Sequence, residues 1–88
     1  MTTHGLPTAK EMTTALMESI RNLGGRASVK ELEHEVSKRL QLSAEQLAVP
    51  HDKSRTEFQY RLAWTRSYAK KAGLLVSTER NRWSLPNS

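Results

Sequence analysis

The chain has 88 residues and a mass of 10.0 kDa, enough for one compact domain that buries about two-thirds of the surface its unfolded form exposes. It holds no cysteine, which excludes disulfide frameworks and thiolate metal sites, and no apolar run exceeds three residues, which excludes a membrane-spanning helix and a signal-peptide core. The net charge of +5 is segregated. Residues 1–50 carry six basic and six acidic side chains, whereas residues 51–88 carry eight against three, so the whole excess lies in the second part. A neutral half joined to a basic half suits a polyanion-binding face.

Met1 to Leu6 shows no periodicity and reads as a flexible tail, leaving residues 7–86 as the domain. A first helix is expected to open near Pro7 and Thr8, with Pro at the first helical position. Ala9, Met12, Leu16, Ile20 and Leu23 then share one stripe. Gly24 ends it as a left-handed cap, and Gly25 to Ala27 supply a short extended bridge. Ser28 and Glu31 form a capping box that opens a second helix, Val29 to Leu40, with Val29, Leu32, Val36 and Leu40 facing inward. Ser43 and Gln46 repeat the device before one helical turn at Ala44 to Leu47, and Pro50 breaks the chain. After the polar loop His51 to Arg55, Thr56 and Gln59 open a third long helix that runs to Ala72, with Gly73 as its terminator. Leu74 to Val76, the polar tip Ser77 to Asn81, and Arg82 to Leu85 with alternating apolar residues then read as a β-hairpin, with Asn81 in the turn. The order of helix, bridge, helix, turn, helix and hairpin is that of a winged helix-turn-helix, mainly α with a small hairpin as the wing.

The stretch Phe58 to Leu85, F-Q-Y-R-L-A-W-T-R-S-Y-A-K-K-A-G-L-L-V-S-T-E-R-N-R-W-S-L, in which a Trp and a Tyr four residues apart lead into K-K-A-G-L and a short wing, resembles the N-terminal winged-helix domain of Mrr-type restriction endonucleases. Pro7, Gly24-Gly25 and the Leu32/Val36 helix fit the same template, so the resemblance covers about residues 7 to 86. Two positions depart from it: Ala69 stands where Leu is usual, and Asn81 where the wing has Gly. The resemblance implies a cytoplasmic, nucleoid-associated bacterial protein whose winged helix binds DNA and targets a separate nuclease domain.

Nuclease chemistry of that type needs an Asp and a Glu/Asp-x-Lys around a divalent cation. The chain has one Asp, Asp52, and no acidic residue followed two positions later by Lys. His4, His34 and His51 lack the spacing of a zinc motif, and the Glu31, Glu33, His34, Glu35 run reads as a salt-bridged solvent face. No catalytic residue, metal or cofactor is expected.

On the third helix, Phe58, Leu62, Thr65, Ala69 and Ala72 form the buried stripe, and Gln59, Tyr60, Ala63, Arg66, Ser67 and Lys70 the opposite face. Small Ala63 and Ser67 would let that face approach a groove floor, where Gln59 suits adenine and Arg66 suits guanine. Trp64 and Tyr68, one turn apart, read as cement between helix and wing, with base stacking as the alternative. Trp83 is expected in the core. Arg80 and Arg82 project from the hairpin towards backbone or minor groove, and Lys53, Ser54 and Arg55 form a phosphate clamp before the helix. The residues thus point to a non-catalytic double-stranded-DNA-binding domain. A stand-alone winged-helix transcription regulator and a protein-docking winged helix are the alternatives. Duplex with modified bases and a homodimer in the full-length protein remain options; a membrane does not.

Overall fold

The computed structural model describes residues 6–86. Its elements are α1 (Ala9–Asn22), β1 (Arg26–Ser28), α2 (Val29–Arg39), α3 (Ala44–Ala48), α4 (Glu57–Lys71), β2 (Val76–Glu79) and β3 (Arg82–Ser84). Each helix starts on the same reciprocal device, in which a Ser or Thr oxygen accepts the third residue's N–H while that residue's carboxylate or amide oxygen accepts the cap's own N–H. The pairs are Thr8/Glu11, Ser28/Glu31, Ser43/Gln46 and Thr56/Gln59. Thr8 as cap places Pro7 one residue before the helix. The expectation of Pro7 at the first helical position is corrected accordingly.

The three longer helices also end alike. Gly24 N–H donates to the Arg21 carbonyl and Gly25 N–H to that of Ile20; the same paired bonds follow α2 at Gln41 and Leu42, and α4 at Gly73 and Leu74. This double bond requires a left-handed residue just past the cap, and Gly24 (φ 91°), Gln41 (φ 53°) and Gly73 (φ 79°) supply it. Glycine takes this conformation without penalty; Gln41 does not.

The core lies between the three long helices. Met12, Leu16 and Ile20 of α1 meet Leu32 and Val36 of α2 and Phe58, Leu62 and Ala69 of α4, and Leu75 closes one end. Leu6, assigned by its sequence to the tail, is 1% exposed, so the packed unit begins before α1; the rest of the expected tail lies outside the described residues. Ala72, expected on the buried stripe, is exposed because it is the C-cap of α4, where the helix has already left the core. Ala69 is fully buried, a small side chain at a helix crossing.

The hairpin belongs to a three-stranded antiparallel sheet in the order β1-β3-β2. The bridge expected after Gly25 is therefore a strand. Two successive left-handed glycines turn the chain so that Arg26–Ser28 run beside β3, with Ala27 opposite Trp83. Leu85 N–H to the Gly25 carbonyl and Val29 N–H to that of Asn81 extend the ladder at its two ends. A lone two-stranded hairpin is marginal in water, and this third strand anchors it to the helices. Asn81, with φ 61°, takes the left-handed turn position, and a register shift lies before it, between Ser77 and Glu79 of β2. The architecture is mainly helical with a small sheet, the layout of a winged helix-turn-helix.

Candidate nucleic-acid interface

The loop before α4 is built by Asp52, whose Oδ1 accepts from the Ser54 and Arg55 backbone N–H groups and from the Ser54 hydroxyl, at 2.8 to 3.0 Å. These bonds, the Ser54 and Arg55 amides first, hold the Asp52 carboxyl below its ordinary range. His51 and Asp52 N–H both donate to the Arg55 carbonyl, closing the turn. Lys53, Ser54 and Arg55 are exposed on it. Two of the first amides of α4 are engaged within the fold, since Glu57 N–H donates to the Val49 carbonyl and Gln59 N–H to Thr56 Oγ1.

A second set of contacts fastens this loop to α4. The His51 ring stacks on Tyr60 with centroids 3.7 Å apart, and the Arg55 guanidinium lies 5.5 Å from the same Tyr60 ring. Glu57 bridges His51 Nδ1 at 3.0 Å and Arg61 Nε at 2.9 Å; the Arg61 bond, then the His51 bond, lowers its carboxyl pKa. Arg61 is thereby neutralised locally. By contrast, no ion pair among the described residues joins Lys53, Arg55, Lys70, Lys71, Arg80 or Arg82 to a carboxylate.

The face of α4 that looks outward differs from the one expected. Stepping 100° per residue from the buried Phe58, Leu62, Thr65 and Ala69, the diametrically opposite line passes through Tyr60, Ser67 and Lys71, with Trp64 beside it. Arg55, Tyr60, Ala63, Trp64, Ser67 and Lys71 indeed line one shallow hollow. Lys71, left out of the sequence reading, falls on this face by the same wheel arithmetic, beside Trp64, for which that reading keeps base stacking as the alternative. Gln59 and Arg66 lie on the flank towards the hairpin. Gln59 Oε1 accepts from Thr56 N–H at 3.0 Å, so the paired amide groups that would read adenine are half engaged by the cap.

Arg66 is half-buried, its guanidinium 5.8 Å from the centre of the Trp83 ring. Its Nε and Nη1 are shielded from water without a hydrogen-bond partner. Burial lowers its pKa, and the nearby Glu33 carboxylate acts in the opposite sense. Trp83, expected in the core, is half-buried: it packs against the core on one side and lies under Arg66 on the other. Trp64 and Tyr68 are not cement between helix and wing. They are 62% and 68% exposed and lie on the flank towards α1, because Arg66, on the other flank, is the residue that meets the hairpin. Arg80 and Arg82 are exposed at the hairpin tip, and Lys70 and Ser67 are exposed on α4.

The acidic run on α2 is engaged within the fold. Glu31 serves the Ser28 cap, and Glu35 accepts from Asn22 Nδ2 at 3.0 Å and pairs with Arg39 at 3.7 Å. Among the described residues no group of His, Asp and Glu is placed to hold a metal ion, and no helix is long and apolar enough to cross a membrane.

Comparison with known proteins places one family model on the chain, the Mrr N-terminal domain, which matches residues 10–88. No curated protein and no solved structure matches.

Proposed function

The chain belongs to the Mrr N-terminal domain family, a restriction-system-associated module distinct from the nuclease catalytic domain, and from that premise we propose that it is a non-catalytic double-stranded-DNA-binding domain that targets a nuclease domain of the full-length protein. The observation that carries the reading is the set of cations on the loop, α4 and the hairpin tip that form no ion pair among the described residues, although Asp52 and Glu31 lie close enough to feel Arg55 and Arg82. Elsewhere, Arg39 and Arg61 are paired with Glu18, Glu35 and Glu57.

In this reading Lys53, Ser54, Arg55, Lys70 and Lys71 contact phosphates, and Arg80 and Arg82 follow backbone or minor groove from the hairpin. Tyr60, Ala63 and Ser67 approach the base edges of the major groove, with Gln59 and Arg66 at the hairpin-side margin. The resemblance to modification-dependent enzymes adds duplex with modified cytosine to the candidate targets. Fluorescence anisotropy with plain and cytosine-methylated duplexes tests the proposal. Saturable binding that weakens on Arg55→Ala with Lys71→Ala is the expected result, and no binding of either duplex at low salt overturns it.

A further inference from the structure

Trp64 and Tyr68 are the two most exposed aromatic rings among the described residues, and the duplex-binding role above makes no use of them. They stand one helical turn apart on α4 and continue a row begun at Tyr60, whose ring meets that of Trp64 edge-on at 6.5 Å. On one side of the row, between α4 and the start of α1, lies a hollow of about 730 Å³ bounded by Pro7, Met12, Trp64 and Tyr68. That volume falls within the ~300–1,000 Å³ range of small-ligand pockets. On the other side lies the hollow of about 390 Å³ that holds Arg55, Ser67 and Lys71. Tyr60 and Trp64 line both, so the aromatic row is a ridge between an apolar recess and a cationic trough.

We propose that this ridge is a stacking site for an unpaired nucleobase, an assignment that rests on the nucleic-acid reading above. The strand's phosphates lie in the trough against Arg55 and Lys71, and a base displaced from the helix stacks on Trp64 and Tyr68 over the recess. Aromatic faces accept any base, because every base has a π-face, while the sugar-phosphate attached to it needs cations beside the ring. Both are present here. Lys10 borders the recess from α1, so a cation stands on each side of the ridge; Arg61, also at the recess, is already paired with Glu57. This charge argues against a second copy of the chain as occupant, since a symmetric contact would set these cations against one another.

The test compares a fully paired duplex with the same duplex carrying one unopposed fluorescent purine analogue, on the whole 88-residue chain. The wild type is expected to bind the second about fivefold to a hundredfold more tightly, with a change in the analogue's emission on binding. Trp64→Ala with Tyr68→Ala should bring that ratio close to one, and Trp64→Phe should retain most of it. Both side chains are exposed, so a thermal melt of the double variant close to that of the wild type separates the effect from misfolding. Equal affinity of the wild type for the two duplexes, or a ratio that survives the double variant, overturns the stacking site and leaves the duplex reading standing. Tight binding of the unopposed-base probe without binding of the paired one supports the stacking site and removes the duplex reading; binding of neither removes both. A dimer in sedimentation that Trp64→Ala dissociates would show the ridge covered by a second copy and would also overturn the proposal.

Discussion

Arg66 shows how one side chain can be claimed by two roles. Its guanidinium lies over Trp83 with Nε and Nη1 unbonded and away from water. A partly desolvated cation over an indole contributes about 1–2 kcal/mol, and buried N–H groups without partners cost about 1–3 kcal/mol each, so the two on Arg66 offset that gain or exceed it. The charge therefore adds little to stability, whereas the aliphatic stem that covers Trp83 does contribute. Arg66→Met is expected to change unfolding stability by less than about 1 kcal/mol, and Arg66→Ala to cost about 1–2 kcal/mol, measured by urea unfolding. Equal losses in the two variants would show that the charge holds the hairpin and the stem does not. Trp83→Ala should cost about 3 kcal/mol, at the low end for a large aromatic because one side of the ring is covered by Arg66 and not by the core.

The ends of the helices carry both a stability prediction and a measure of what the sequence reveals. Three of the four N-terminal boxes are read from the sequence, because the Ser/Thr and its Glu/Gln partner three residues on are a purely local pattern; the Thr8/Glu11 box carries the same pattern but is passed over there in favour of Pro7 as the first helical residue. At the C-terminal ends, Gly24 and Gly73 announce their caps, but Gln41 does the same task with no glycine to mark it. Gln41→Gly should stabilise the domain by about 0.5–1 kcal/mol through relief of the left-handed conformation, read from the urea midpoint; a loss would mean the Gln41 side chain has a contact of its own. What no local pattern could supply is the flank of α4 that the hairpin covers. A helical wheel offers two flanks beside the buried stripe, and the choice is made by the long-range pairing of β1 with β3. Trp64 and Tyr68 were thereby assigned to the wrong flank. The boxes also give a pH signature. Glu31, through the Ser28 backbone and then side-chain bonds, is held below its ordinary value of 4.5, as are Asp52 and Glu57 below theirs. A depressed folded-state pKa stabilises above the unfolded value and is lost as pH falls through the folded one. The urea midpoint should thus drop on acidification from about pH 5 to about pH 3, and Glu31→Gln, which keeps an acceptor at the cap, should flatten that drop.

Across the whole molecule the feature on which the DNA-binding proposal rests, the charge imbalance, is legible in the sequence. Counting charges places the +5 excess in residues 51–88, and the fold distributes it over the loop, α4 and the hairpin without pairing the cations named above. A duplex bound by such a surface releases condensed counterions in proportion to the phosphates neutralised, so the logarithm of affinity falls linearly with the logarithm of salt. For about four to six phosphates the slope is roughly −4 to −5. Two clusters contribute from different positions. In the proposed reading Arg80 and Arg82, exposed at the hairpin tip, meet backbone and shape, so Arg80→Ala with Arg82→Ala should weaken all duplexes alike and flatten the slope by roughly one to two. Ser67 lies at the centre of the α4 face, uncharged and exposed, and in the proposed reading that face meets the base edges. A bulky Ser67→Gln should leave the slope unchanged while it lowers affinity for a selected site more than for a scrambled one. Titrations of each variant against both duplexes over a series of salt concentrations separate the two phenotypes. If the hairpin variant alters discrimination, or the Ser67 variant alters the slope, the division of labour between wing and helix is reversed.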